Sequence, residues 1–125
     1  MNKQEFNQLS KALTFKAAEI MKGKGPEYTD SSEDVLDNFI STSKRLNISP
    51  LKVWGVFMDK QCNSIFAHIN NCGLKESEPI DSRFADIINY CHLGMALFKE
   101  RKKWNLNTKW CLEYKLILMV DKSIL

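Results

Sequence analysis

Apolar residues recur at spacings of three and four along most of the chain, which is the period of an amphipathic α-helix. The pattern predicts a first helix over residues 4–22 and a second that starts at Ser31 or Ser32, with Asp34 completing a capping box. The stretch "GKGPEYTD" is expected to separate them, because glycine and proline disfavour a continuing helix. The predicted apolar stripe of the first helix consists of Phe6, Leu9, Leu13, Ala17 and Ile20.

Two further helices follow. Ser49 and Pro50 give a clean start to the third, with an N-cap residue followed by proline at the first position, and this helix is expected to run to about Asn71. The fourth is predicted from Ile80 or Asp81 to about residue 103. Its predicted buried side consists of Ile80, Phe84, Ile87, Ile88, Cys91, Met95 and Phe98.

These elements predict a mainly all-α fold. Residues 1–103 are expected to form a four-helix bundle that is a domain of its own. Residues 104–125 form a C-terminal extension, predicted to pack on the domain or at an oligomer interface. The segment "KWCLEYKLILMV" within it has apolar residues at both strand and helix spacing, so its secondary structure stays open.

The composition is typical of one small folded domain. Of the 125 residues, 44% are apolar and 26% are charged, which argues against disorder. No apolar run is long enough to span a membrane, and the N-terminus lacks the pattern of a secretory signal. The four cysteines include no CxxC pair, so free thiols are favoured over a zinc site. We therefore expect a cytoplasmic protein that makes no membrane contact.

The net charge of +3 is mild, but basic residues concentrate in "KERKKWNLNTKW". Basic residues interleaved with Trp104 and Trp110 are one signature of nucleic-acid binding. Lysine and arginine also suit the last turn of a helix, where they complement the helix dipole. The second interpretation is preferred, so nucleic acid is not the expected partner.

Helical bundles build polar sites from side chains that point inward from facing helices. Polar residues within the apolar stripes are therefore candidates. Two or three converging carboxylates would hold Mg²⁺, which binds phosphates, while lysines and amides would bind phosphate and base edges. Each polar residue could instead mark a solvated helix side. The candidates are Asp37 and Asn38 in the second helix, Asp59 and Lys60 in the third, and Asp86, Asn89 and Tyr90 in the fourth.

Four segments appear in an order that is similar to a known family: "KGPEY", "DVLDNF", "VFMDKQCNSI" and "ESEPIDSRFADIINYCHLGMALF". Over roughly residues 15–100 the chain resembles phage and prophage proteins of the nucleotide modification associated type. These are related to the all-α, MazG-like nucleoside triphosphate pyrophosphohydrolases. The resemblance implies an all-α fold, a dimer or higher homo-oligomer, a nucleotide ligand and, if the chain is phage-encoded, the host cytoplasm.

The motif match also implies site residues. Asp37 and Asp81 match positions of the family motifs. The implied nucleotide-binding residues are Lys24, Tyr28, Asn38, Lys60, Arg83, Asn89 and Tyr90. The implied metal ligands, for Mg²⁺, are Asp59, Glu78 and Asp86.

The chain departs from the catalytic members of that family. They carry an ExxE motif on one helix and an ExxD motif on a later one, and together these bind Mg²⁺. If Asp86 is the aspartate of ExxD, the glutamate position holds Arg83, and no ExxE occurs anywhere in the chain. An arginine in that place suits direct phosphate binding without hydrolysis.

Three functions therefore remain open. The preferred hypothesis is a protein that binds or sequesters a nucleotide or a nucleotide-derived signal. The second is a Mg²⁺-dependent nucleoside triphosphate pyrophosphohydrolase, in which the metal activates water. The third is a protein-interaction module that uses the basic, Trp-containing tail as its contact surface.

Overall fold

The computed structural model describes residues 1–28, 33–71 and 78–103, apart from the side chains of residues 24–28 and 102. The predicted all-α fold is confirmed, since these residues contain helices and no strand. The elements are α1 (Lys3–Tyr28), α2 (Asp37–Leu46), α3 (Pro50–Asn70), α4 (Ile80–Glu100) and a short 3-10 helix (Arg101–Lys103). The C-terminal extension, residues 104–125, lies outside the description.

The first residues of α3 and α4 agree with the start signals in the sequence. The hydroxyl oxygen of Ser49 accepts a hydrogen bond of 3.1 Å from the backbone N–H of Lys52, which satisfies one of the free donors at the start of α3. Pro50 occupies the first turn, where its missing N–H costs nothing. Helix α4 begins at Ile80, directly after Pro79.

The predicted boundary between the first two helices is wrong at both sides. Helix α1 continues through its glycines and Pro26 to Tyr28. Glycine in a helix costs about 1 kcal/mol and does not forbid it, and Pro26 stands within the last turn, where it removes one hydrogen bond.

Helix α2 starts later than predicted, at Asp37. The carboxylate of Asp34 accepts a hydrogen bond of 2.9 Å from the N–H of Leu36, and its carbonyl accepts one of 3.1 Å from Asp37. These bonds hold a turn, because a short side-chain acceptor competes with helical pairing. Ser31 and Ser32, the predicted start, lie outside the described residues.

Helix α4 is central to the packing, because it contacts both α1 and α3. Helix α2 packs on α3. The core cluster consists of Leu36, Phe39, Val53 and Leu97, so α2, α3 and α4 share it. The ring of Phe57 meets Phe39 edge to face at 6.0 Å between centroids. No helix in the described part of the chain is both long and apolar enough to cross a membrane.

The predicted buried side of α4 is wrong for four of its seven residues, while Ile80, Ile87 and Ile88 are half-buried. Of the predicted residues, Phe84, Met95 and Phe98 are 40–57% exposed, and Cys91 is also exposed. The residues that α1 and α3 cover are Ala85, Asp86, Asn89, Gly94 and Leu97. Small side chains allow two helices to approach α4 closely, which periodicity in hydrophobicity does not reveal.

The same correction applies to the first half of α1. Phe6 and Leu9 of the predicted apolar stripe are exposed, and the stripe becomes buried only at Ala17. Contacts between α1 and α4 include Lys16 and Ala17. The first two turns of α1 therefore present apolar side chains to solvent.

The indole of Trp54 on α3 packs directly against Gly94 on α4. The indole Nε1–H of Trp54 donates a hydrogen bond of 2.6 Å to the backbone carbonyl of Tyr90. A Cβ atom added at Gly94 would lie 2.6 Å from Cε2 of Trp54. Glycine is therefore required sterically at position 94, because any larger residue would displace the indole ring.

Candidate functional site

A row of polar residues follows one side of α4, and we call Arg83, Asp86 and Asn89 the polar row. Their spacing of three places them on successive turns of α4, each about 60° around the helix from the one before. Asp86 is 6% exposed and Asn89 is 8% exposed, although charged and amide side chains are seldom so deeply buried. Burying them requires polar partners, because an unpaired polar group loses its hydration without compensation.

Asn89 has a clear structural partner in α1. Its side-chain amide nitrogen donates a hydrogen bond of 2.8 Å to the carbonyl of Ala17, and this bond is itself buried. A buried neutral hydrogen bond contributes about 0.5–1.5 kcal/mol. The amide of Asn89 therefore joins α1 to α4.

Gln61 on α3 is a polar residue that inspection of the sequence missed. It is 6% exposed, and its side-chain oxygen Oε1 has no hydrogen-bond partner within the described residues. An unsatisfied buried acceptor costs about 1–3 kcal/mol. The signal was present in the sequence, since Gln61 follows Val53 by eight residues and Phe57 by four, which is the spacing of one apolar stripe.

Gln61 and the polar row belong to the same helix pair. The ring of Tyr90 stacks on Phe57 with 6.1 Å between centroids and 7° between planes, so these two positions face each other. Gln61 lies one turn beyond Phe57 on α3, and Asp86 lies one turn before Tyr90 on α4. Gln61 and Asp86 therefore each lie one helical turn from the aromatic contact between Phe57 and Tyr90.

Arg83 is paired with Glu78, the residue predicted as a metal ligand. Its Nη1 lies 3.3 Å from Oε2 of Glu78, and the arginine side chain is 18% exposed. Ion pairs that include an exposed partner contribute little, about 0–1 kcal/mol. A phosphate could therefore replace the Glu78 carboxylate at the guanidinium with a small loss.

Asp81, at the start of α4, is paired with Lys16 of α1 at 2.6 Å. The hydrogen bond from Lys16 is the main cause that lowers the pKa of Asp81 below its ordinary value of 3.8, against an opposing effect of desolvation. Attraction to the lysine charge and the N–H of Ser82 also lower this pKa. The pair connects α1 to α4 near the polar row.

The depressed pKa of Asp81 gives a pH-dependent prediction. A lowered carboxyl pKa stabilises the fold above the unfolded value of 3.8, and this contribution disappears as pH falls through the folded pKa. Lys16→Met should therefore raise the Asp81 midpoint towards 3.8 in an NMR titration. The stability difference from the unmodified protein should shrink below pH 3.8, while Lys11→Met on the same helix leaves the midpoint unchanged. An unshifted Asp81 midpoint in Lys16→Met would contradict the assignment.

The remaining predicted residues lie on other helices or outside the description. Asp59 and Lys60 are exposed on α3, and the Asp59 carboxylate accepts a hydrogen bond of 3.1 Å from Asn63. Asp37 and Asn38 are half-buried at the start of α2. The side chains of Lys24 and Tyr28, in the last turns of α1, are outside the description.

Over the described ranges, no three His, Cys, Asp or Glu side chains are grouped so that they could hold a metal ion. Asp59, Glu78 and Asp86 as Mg²⁺ ligands stay a prediction. Comparison with protein-family models, with curated proteins and with solved structures found no match. Among the side chains described above, Arg83, Asp86, Asn89 and Gln61 offer groups for hydrogen bonding and charge pairing.

Proposed function

We propose that the protein binds a nucleotide, or a signal derived from one, at the polar row of α4, and that it releases this ligand unchanged. The observation that carries the proposal is the burial of Asp86, Asn89 and Gln61 between helices. A purely structural core gains nothing from an unsatisfied glutamine oxygen, whereas a binding site can use it. The family resemblance described above supports the same ligand class.

Each residue offers a contact suited to part of a nucleotide. The planar guanidinium of Arg83 matches two phosphate oxygens, and phosphate is a stronger partner than a single exposed carboxylate. The carboxylate of Asp86 accepts hydrogen bonds from ribose hydroxyls or base amino groups. Oxygen Oε1 of Gln61 is a further acceptor, and satisfying it would recover its desolvation cost.

Binding without hydrolysis is preferred because of the charge at position 83. A guanidinium in the place of a metal-binding carboxylate repels Mg²⁺ and attracts phosphate directly. The second hypothesis, a Mg²⁺-dependent pyrophosphohydrolase, requires Asp86 together with Asp59 or Glu78 as ligands. It differs from the proposal in its product, so one assay separates the two.

The test is calorimetric titration of the full-length protein with ribonucleotides, deoxyribonucleotides and cyclic dinucleotides, with and without Mg²⁺. We expect saturable binding of at least one of them and recovery of the ligand intact by chromatography. Release of pyrophosphate from any triphosphate, with Mg²⁺ or Mn²⁺, would instead establish the hydrolase. Absence of binding across all three classes would reject the proposal.

Matched aspartate variants locate the site. Asp86→Asn keeps the shape of the buried side chain and removes its charge, and it should weaken binding about ten- to a hundredfold, as expected for one hydrogen bond to a charged group. Asp59→Asn alters an exposed carboxylate of α3 and should leave the affinity unchanged. Thermal melting should show that both variants remain folded. Equal affinity for Asp86→Asn and the unmodified protein would place the ligand elsewhere.

A further inference from the structure

One side of α4 exposes a continuous apolar stripe. We call Phe84, Ile88, Cys91, Met95 and Phe98 the outer stripe; their spacings of four, three, four and three keep them on one helix side. Four of these five residues are exposed, and Ile88 is half-buried. Single exposed apolar residues are ordinary, but a contiguous stripe over four turns is typical of a surface that another segment covers.

The chain itself contains a suitable segment. Residues 104–125 follow the 3-10 helix that ends at Lys103, which is five residues beyond Phe98. More than half of these 22 residues are large and apolar, including Trp110, Leu112 and Leu118. Such a segment needs an apolar partner to remove its side chains from water.

We propose that the outer stripe of α4 is the surface on which the chain's own residues 104–125 dock. The stripe spans the 15 residues from Phe84 to Phe98, which extend over about 21 Å at the helical rise of about 1.5 Å per residue. Twenty-two residues cover about 33 Å as a helix and about 70 Å when extended. The segment is therefore long enough in either conformation to return along the whole stripe.

A covalently attached segment has an advantage over a second copy of the protein. A short connection gives an effective concentration in the millimolar range, so docking avoids most of the cost of associating two molecules. The connection here is the few residues between Phe98 and Trp104. A dimer built on the same stripe would also have to displace the attached segment.

Two native cysteines allow a direct test in the full-length protein. Cys91 lies in the outer stripe and is exposed, and Cys111 lies in the C-terminal segment. A short bis-maleimide reagent at low protein concentration should join these two cysteines, as identified by peptide mass spectrometry. The cross-linked product should have the mass of one chain. If docking is lost, the yield of this product should fall to the background yield measured with the urea-unfolded protein.

Matched surface variants provide the control. Met95→Glu introduces a charge into the outer stripe and should lower the Cys91–Cys111 yield severalfold and speed alkylation of Cys91. Leu9→Glu makes the same kind of change at an exposed apolar position of α1, outside the stripe, and should alter neither readout. Both positions are more than half exposed, so folding is not at risk.

Two outcomes would overturn the proposal. A cross-linked product with the mass of two chains would assign the outer stripe to a second copy. Alkylation of Cys91 at the rate of an unprotected thiol, equal in the unmodified protein and in Met95→Glu, would mean that nothing covers the stripe.

Discussion

Replacing Gly94 by alanine is expected to lower the free energy of unfolding by about 2–3 kcal/mol, the combined scale of an overpacked contact and a broken, partly buried hydrogen bond. The new Cβ would lie 2.6 Å from Cε2 and 2.9 Å from Nε1 of Trp54, well inside normal contact distance. The indole cannot move away freely, because its N–H is bonded to the carbonyl of Tyr90. Chemical denaturation followed by tryptophan fluorescence and circular dichroism measures the loss.

Gly55 is the matched control. It lies in the interior of α3, and a Cβ atom added there meets no atom within 4 Å. Gly55→Ala should therefore raise the stability by up to about 1 kcal/mol through helix propensity. The two alanines are predicted to act with opposite signs. If Gly94→Ala stabilised the protein as Gly55→Ala does, the close approach of Trp54 to α4 would be wrong.

Much of the fold could be predicted because its signals are local. Ser49 and Pro50 fixed the start of α3, since capping and the fixed φ of proline depend only on neighbouring residues. The start of α4 at Ile80 agrees with the predicted start at Ile80 or Asp81. The continuation of α1 past Pro26 was not predicted. Glycine and proline destabilise a helix, but the length of a helix depends on all of its contacts together.

The buried side of α4 could not be predicted from periodicity. The helix carries one side rich in large apolar residues and another with Ala85, Asp86 and Gly94. A hydrophobicity pattern selects the first side, yet α1 and α3 cover the second. Close packing favours small residues, and buried polar residues need partners on other helices that lie far away in sequence, as Ala17 does from Asn89.

The same limit explains the outcome for the candidate site. Asp86 and Asn89 were singled out because they interrupt an apolar pattern, and both proved to be buried between helices. Asp59 interrupts α3 in the same way but is exposed on the solvent side. Sequence alone treats these interruptions alike, whereas the burial of a polar side chain is what distinguishes a candidate site from a solvated helix side.

Neutralising Arg83 is expected to weaken the binding of a phosphate-bearing nucleotide by about ten- to a hundredfold, the range for hydrogen bonds to a charged group. Calorimetry of Arg83→Gln measures the loss. Arg45→Gln is the matched control, because Arg45 is an exposed arginine of α2 whose guanidinium contacts Thr42 at 3.2 Å. It should leave the affinity unchanged. An Arg83→Gln variant that binds as tightly as the unmodified protein would show that the guanidinium is not part of the site.

The change in affinity caused by Glu78→Gln distinguishes binding from metal-dependent hydrolysis, because the two hypotheses predict changes of opposite sign. The Glu78 carboxylate lies 3.3 Å from the Arg83 guanidinium. In the proposed binding mode, a phosphate would have to displace this carboxylate. Removing the charge should tighten binding by about two- to fivefold, which corresponds to a weak ion pair. If Glu78 instead ligates Mg²⁺, the same substitution removes a ligand and weakens binding only when Mg²⁺ is present. Tighter binding that does not depend on Mg²⁺ would therefore assign Glu78 as a competitor of the phosphate and exclude it as a metal ligand.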